Sequence, residues 1–187
     1  IGAKKMPKGV TFNDNKGPVT IIDEGGSARP SILGKLIEII ATSDQTEVNL
    51  DRDPAEIDVK INFNDLTNHK WIIEEYIQSS LLIDESIEAL NQTILNGSTK
   101  LKRQMKAFYN RALDKYSINR SPFDLDKLKL NSDSIVGEVI SLTKRFVKNS
   151  ADLKQGYFEE DIDHGVSLIT SYSIIECIVL ENPNDHN

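Results

Sequence analysis

The stretch from about Glu159 to Leu180 limits what this chain can become more than any other. After Val166 it carries Leu168, Ile169, Tyr172, Ile174, Ile175, Ile178, Val179 and Leu180, which leave almost no polar face if the segment is helical. A helix that is apolar on most sides must be buried in the middle of a bundle or covered by a partner. It therefore needs other helices around it, and the chain supplies them.

Helical periodicity recurs upstream. Ile32, Leu36, Ile39 and Ile40 share one face of a helix opening near Pro30-Ser31. Asp53-Pro54-Ala55-Glu56 is a strong start signal, with an acid able to cap and a proline suited to the first helical position. The helix it opens carries Ile57, Ile61 and Phe63. The longest periodic run, about Asn68 to Leu95, repeats Ile72, Tyr76, Ser80, Ile83, Ile87 and Leu90 and is expected to end at Asn96-Gly97. Ser79 and Ser80 on it suggest close approach of another helix. Leu101, Met105, Phe108, Ala112, Leu113 and Tyr116 form the next stripe, broken by Ser121-Pro122. A further helix is expected from about Ser132 to Lys148, followed by a loop to Gly156.

The first 29 residues differ. Val10, Phe12, Val19 and Ile21 alternate with polar residues on either side of Asn13-Asp14-Asn15-Lys16-Gly17-Pro18, which reads as a short β-hairpin in a linker. The chain starts Ile1-Gly2-Ala3-Lys4 and not with Met, so the expectation is a piece of a longer protein. The expected fold is mainly α: a helical bundle of about five to six helices over residues 30–184, preceded by that hairpin and followed by a tail at 185–187.

Composition narrows the function classes. With 39% hydrophobic and 27% charged residues the chain is an ordinary globular domain, and its length allows one core. A net charge of -7 disfavours a broad nucleic-acid surface, which needs a cationic stripe. Lys100, Lys102, Arg103, Lys106 and Arg111 crowd one segment, first as a solvated helix face and second as an interface. No apolar run is long enough to span a membrane. The single cysteine, Cys177, cannot form an internal disulfide, which fits a reducing, cytoplasmic setting.

Catalytic patterns do not emerge. There is no phosphate-binding glycine loop, nucleophile elbow or zinc motif, and no metal or cofactor is expected. Cys177 reads as a small buried hydrophobe, and Glu176 beside it needs a Lys or Arg if it faces inward. The Glu159-Glu160-Asp161-Ile162-Asp163-His164 cluster could attract a cation but falls at a helix start, where acids favour the macrodipole. Carboxylates near Asp53 or Glu159 are the only basis for an enzymatic or ligand-binding alternative. The one tryptophan, Trp71, fits a core first and an interface anchor second. Trp71, Tyr76, Lys102, Arg103 and Tyr109 are the candidate residues for a partner interface.

Two stretches carry a family resemblance. They are Asp53-Pro54-Ala55-Glu56-Ile57-Asp58-Val59-Lys60-Ile61-Asn62-Phe63-Asn64 and Ile174-Ile175-Glu176-Cys177-Ile178-Val179-Leu180-Glu181-Asn182-Pro183. Together they resemble the C-terminal domains of bacterial ABC three-component defence proteins, in which a P-x-x-I-x-x-K-I-x-x-N helix opens the module and C-x-V-L-E-x-P closes it. The resemblance spans about residues 50–184 and departs at Ile178, where a Lys is more usual. It implies a non-catalytic module behind a variable N-terminal effector, coupling that effector to an SMC-like ATPase and a small middle component in anti-phage defence. Self-association into a homo-oligomer is the other binding expectation.

Overall fold

The computed structural model describes residues 29–43, 54–153 and 156–186, with the backbone alone at 4–5, 11–12 and 54–56. Its described part holds seven α-helices: α1 Ile32–Thr42, α2 Pro54–Phe63, α3 Lys70–Gln78, α4 Ser80–Thr93, α5 Gly97–Lys115, α6 Leu125–Lys148 and α7 Glu159–Ile175. The chain is mainly α, as its periodicity predicts. Upstream, a two-residue strand β1 (Lys4–Lys5) pairs antiparallel with β2 (Thr11–Phe12), Lys4 opposite Phe12. The turn of the expected hairpin at 13–18, with Val19 and Ile21, lies outside the described residues.

The apolar helix α7 is the hub. From Gly165 to Ile174 every residue is buried, serines and threonine included. It packs against α1, α3 and α6, and less extensively against α4 and α5. The small residues allow that crowding. A Cβ on Gly165 would lie 2.9 Å from Ile37 Cγ1 of α1, so any larger residue would force the buried Ile37 side chain to shift. The hydroxyls of Thr170, Ser171 and Ser173 donate to carbonyls one turn back, which satisfies them without a partner helix.

Ser31 caps α1, accepting from the Gly34 amide at 2.9 Å. Its own amide donates to Asp152 Oδ2 at 2.7 Å, so the chain's entry into α1 is pinned to the short 3-10 turn Ala151–Leu153. Leu33, Leu36 and Ile37 are fully buried, a wider face than the one the sequence pattern marks.

Several boundaries differ from expectation. The long run from 68 to 95 is two helices, not one. Ser79 leaves helical geometry (φ -120°, ψ 19°), and its amide goes to both Glu75 and Tyr76 carbonyls. The break gives each half its own neighbour: α3 lies on α7, while α4 lies on α1. Helix α6 starts earlier than expected, at Leu125, because Asp124 caps it through the Lys127 amide. Asn96, left-handed at φ 58°, precedes α5, and Gly97 is that helix's first residue and not the terminator of α4. Finally, α7 stops at Ile175, five residues before the predicted end.

Candidate functional site

The early stop of α7 creates the most chemically varied place in the molecule. Glu176 ends the helix, Cys177 turns left-handed at φ 57°, and the Cys177 and Ile178 amides donate back to Ile174 and Ser173 carbonyls at 3.1 and 2.9 Å. That is the Schellman ending of a helix, whose left-handed position is usually glycine. Here a cysteine occupies it at a cost of roughly 1–2 kcal/mol. Ile178, Val179 and Leu180 then tuck into the core without continuing the helix. Cys177 is thereby exposed, which corrects its reading as a buried hydrophobe.

Helix α2 faces this turn. Its inward side carries Ile57, Lys60, Ile61 and Asn64, spaced i, i+3, i+4 and i+7, and all four are buried. Lys60 is only 5% exposed, and its ammonium donates to the Ile174 carbonyl, which also accepts the Cys177 amide. Burial pushes the Lys60 ammonium below its ordinary value, partly offset by the neighbouring Cys177, Glu176 and Glu181 side chains.

Asn64, fully buried, reads the backbone of Glu181 from both sides. Its Nδ2 donates to the Glu181 carbonyl at 2.9 Å and its Oδ1 accepts the Glu181 amide at 3.0 Å. The Glu181 carboxylate accepts the Tyr109 hydroxyl at 3.0 Å and meets His186 Nε2 at 3.1 Å. Burial, followed by the Glu181 charge and hydrogen bond, pushes the Tyr109 phenol well above its ordinary value, so it stays a neutral donor. Between α2 and the turn opens a cleft of about 490 Å3, lined by Val59, Lys60, Ile175, Cys177, Pro183 and Asn184 among others.

The residues singled out from sequence fall in different places. Trp71, on α3, is 51% exposed and so not a core residue. Tyr76 and Tyr109 are buried at 1% and 0% exposure; neither presents a ring to a partner in this fold, because both point from helix faces that meet α7 and its turn. Lys102 pairs with Glu176 at 3.0 Å, the cation that residue needed, and the hydrogen bond holds its ammonium above the ordinary value. Arg103, like Lys100, Lys106 and Arg111, is exposed on α5.

The Glu159 cluster does sit in the first turn of α7, but its acids face lysines: Lys144 reaches Glu159 at 3.1 Å and Asp163 at 2.5 Å, and Lys148 reaches Glu159 at 2.6 Å. Among the described residues, no group of three or more histidine, cysteine or acidic side chains is arranged to hold a metal ion. Asp53 lies outside the described residues. No helix described is long and apolar enough to cross a membrane.

The sequence reading missed Lys60 and Asn64 as site residues. Their signal was present: two polar side chains on the buried stripe of a short helix, where each must find a partner. Comparison with known protein families, with characterised proteins and with solved structures finds no match.

Proposed function

We propose that this chain is a non-catalytic, cytoplasmic interaction module of the kind that closes bacterial ABC three-component defence proteins. In this reading it links an N-terminal effector to an SMC-like ABC ATPase and a middle component. The two stretches that carry the resemblance lie more than a hundred residues apart, yet they meet through Lys60 with Ile174 and Asn64 with Glu181. Their occurrence in one sequence then has a physical reason, since each places hydrogen-bond partners on the other.

The observation that carries the binding role is Trp71. Helix α3 buries Ile72, Ile73 and Tyr76 but leaves the chain's only tryptophan half in water. Tryptophans of this kind are typical anchors of protein interfaces.

The test is co-purification of the full-length protein with the products of its neighbouring genes, with and without Trp71→Ala. Recovery of an SMC-like ATPase by the native chain, weakened at least tenfold by Trp71→Ala with an unchanged melting curve, would support the proposal. A defined oligomer that recovers no neighbour would favour self-association instead, and a lone monomer would sink both.

A further inference from the structure

We propose that the cleft between α2 and the turn after α7 receives the free carboxyl terminus of a peptide whose last side chain is apolar, with Lys60 holding the carboxylate. What points to it is a missing counter-charge. Lys60 is buried, lines the cleft, and gives its ammonium to the Ile174 carbonyl. Among the described residues no carboxylate pairs with it. The two acids of the turn are engaged elsewhere: Glu176 with Lys102 at 3.0 Å, and Glu181 with the Tyr109 hydroxyl and His186. An ammonium removed from water without an opposite charge is costly, and a bound carboxylate supplies that charge.

The rest of the lining suits what adjoins a carboxylate at the end of a peptide. Val59, Ile175 and Pro183 give apolar walls for the last side chain, and Val59 is 57% exposed although it is apolar. Asn182 and Asn184 bring two carboxamides to the same lining. Asn182 Oδ1 accepts the Asn184 amide at 3.1 Å, and neither carboxamide nitrogen has an acceptor among the described residues. A carboxamide offers donors and an acceptor, the set that a peptide unit answers. At about 490 Å3 the cleft has the ordinary size of a ligand pocket, and a short free acid would leave most of it empty. A carboxylate, an apolar side chain and a peptide unit stand side by side at a chain terminus, and capture of chain termini is a recurrent mode of peptide recognition.

The inference does not rest on the binding role proposed above. Cys177 is exposed and lines the cleft, so its alkylation reports whether the cleft is filled. The test mixes the folded 187-residue chain with N-acetylated tripeptides ending in alanine, leucine or phenylalanine, each as the free acid and as the carboxyl amide. Concentrations reach about 10 mM, where a site of millimolar Kd fills. The melting temperature and the rate of Cys177 alkylation by iodoacetamide are measured together. At least one free acid should raise the melting temperature and slow alkylation about tenfold, as empty sites fall by the factor 1 + [L]/Kd. Its amide should do neither.

Lys60→Met keeps an apolar stem and removes the charge, so it should abolish both effects. Val59→Glu sets a negative charge on the exposed wall and should abolish them without disturbing the core. Four results would overturn the proposal: equal effects of acid and amide, a higher melting temperature with Cys177 unprotected, no effect from any of the three acids, or an effect of isovalerate as large as that of the leucine peptide. If Lys60→Met fails to fold, Val59→Glu and the comparison of acid with amide on the native chain still decide.

Discussion

The two ends of α7 each bring a lysine and a carboxylate to the helix, to opposite effect. At its N-terminus, Glu159 and Asp163 meet Lys144 and Lys148 of α6 with side chains a third to half exposed. At its C-terminus, Lys60, Asn64, Tyr109 and Glu181 form a connected set, most of it removed from water. Lysines hold the exposed Glu159 carboxyl below its ordinary range, but water screens such pairs and they contribute little. At the other end little water competes, so a hydrogen bond that fails at Asn64 or Tyr109 leaves a buried group unpaired. Burial, not the identity of the groups, sets what the two ends contribute.

Asn64→Ala should break this comparison hardest. It removes three hydrogen bonds from a fully buried amide and leaves the Glu181 backbone without its partner. A loss of about 3 kcal/mol is expected, read as a lower urea midpoint with an unchanged slope. A midpoint within error of the native chain would mean that the turn after α7 does not depend on α2.

Asp133 of α6 sharpens it at a third place. Its carboxylate accepts the Thr67 amide and hydroxyl at 3.1 and 2.7 Å and the His69 amide at 2.9 Å, serving the exposed start of α3 from a distance. Burial alone would raise its pKa, yet the hydrogen bonds from Thr67, Asn68 and His69 outweigh it and bring the value to about 2. The folded chain therefore holds this carboxyl ionised where the unfolded chain protonates it. Its contribution, about 2 kcal/mol, is complete above the unfolded value near 4 and disappears as pH falls from there towards 2. Acid unfolding followed by circular dichroism should show that limb flattened in Asp133→Asn. An identical acid profile would remove Asp133 from the account.

Cys177→Gly tests the strain directly. Glycine takes the left-handed position freely, so the variant should be more stable by about 1 kcal/mol. A less stable variant would mean that the contacts of the Cys177 side chain outweigh the backbone cost.

Local signals told the truth about what local forces decide. The burial of α7, the start of α2 at Pro54, the cap region at Ser31 and the acids in the first turn of α7 all follow from periodicity and capping chemistry. Expectation failed where a distant group takes over the backbone. Ile178 to Leu180 continue an apolar pattern, and nothing local says that Asn64 holds the chain at Glu181 and ends the helix first. Tyr76 and Tyr109 have polar tips that suit an interface as well as a core, so their burial needed the neighbouring helices to be placed. Ser79 interrupts a sound helical run because α3 and α4 serve different neighbours.

The smallest effect expected is that of Lys144→Ala, and its smallness is the point. Lys144 contacts two carboxylates, Glu159 and Asp163, and by a count of ion pairs it would stand among the most important residues discussed here. Both acids are half exposed, and Lys148 remains beside Glu159 after the change. The acids also keep the favourable end of the α7 macrodipole, which does not require a lysine. The melting curve should therefore move no further than its own error at 0.15 M salt, where solvent-exposed charges are screened over about 8 Å. Any shift should shrink as salt is raised. A substantial loss of stability, insensitive to salt, would show that these lysines act by packing their stems against α7, and the contrast between the two ends of the helix would then rest on shape and not on exposure.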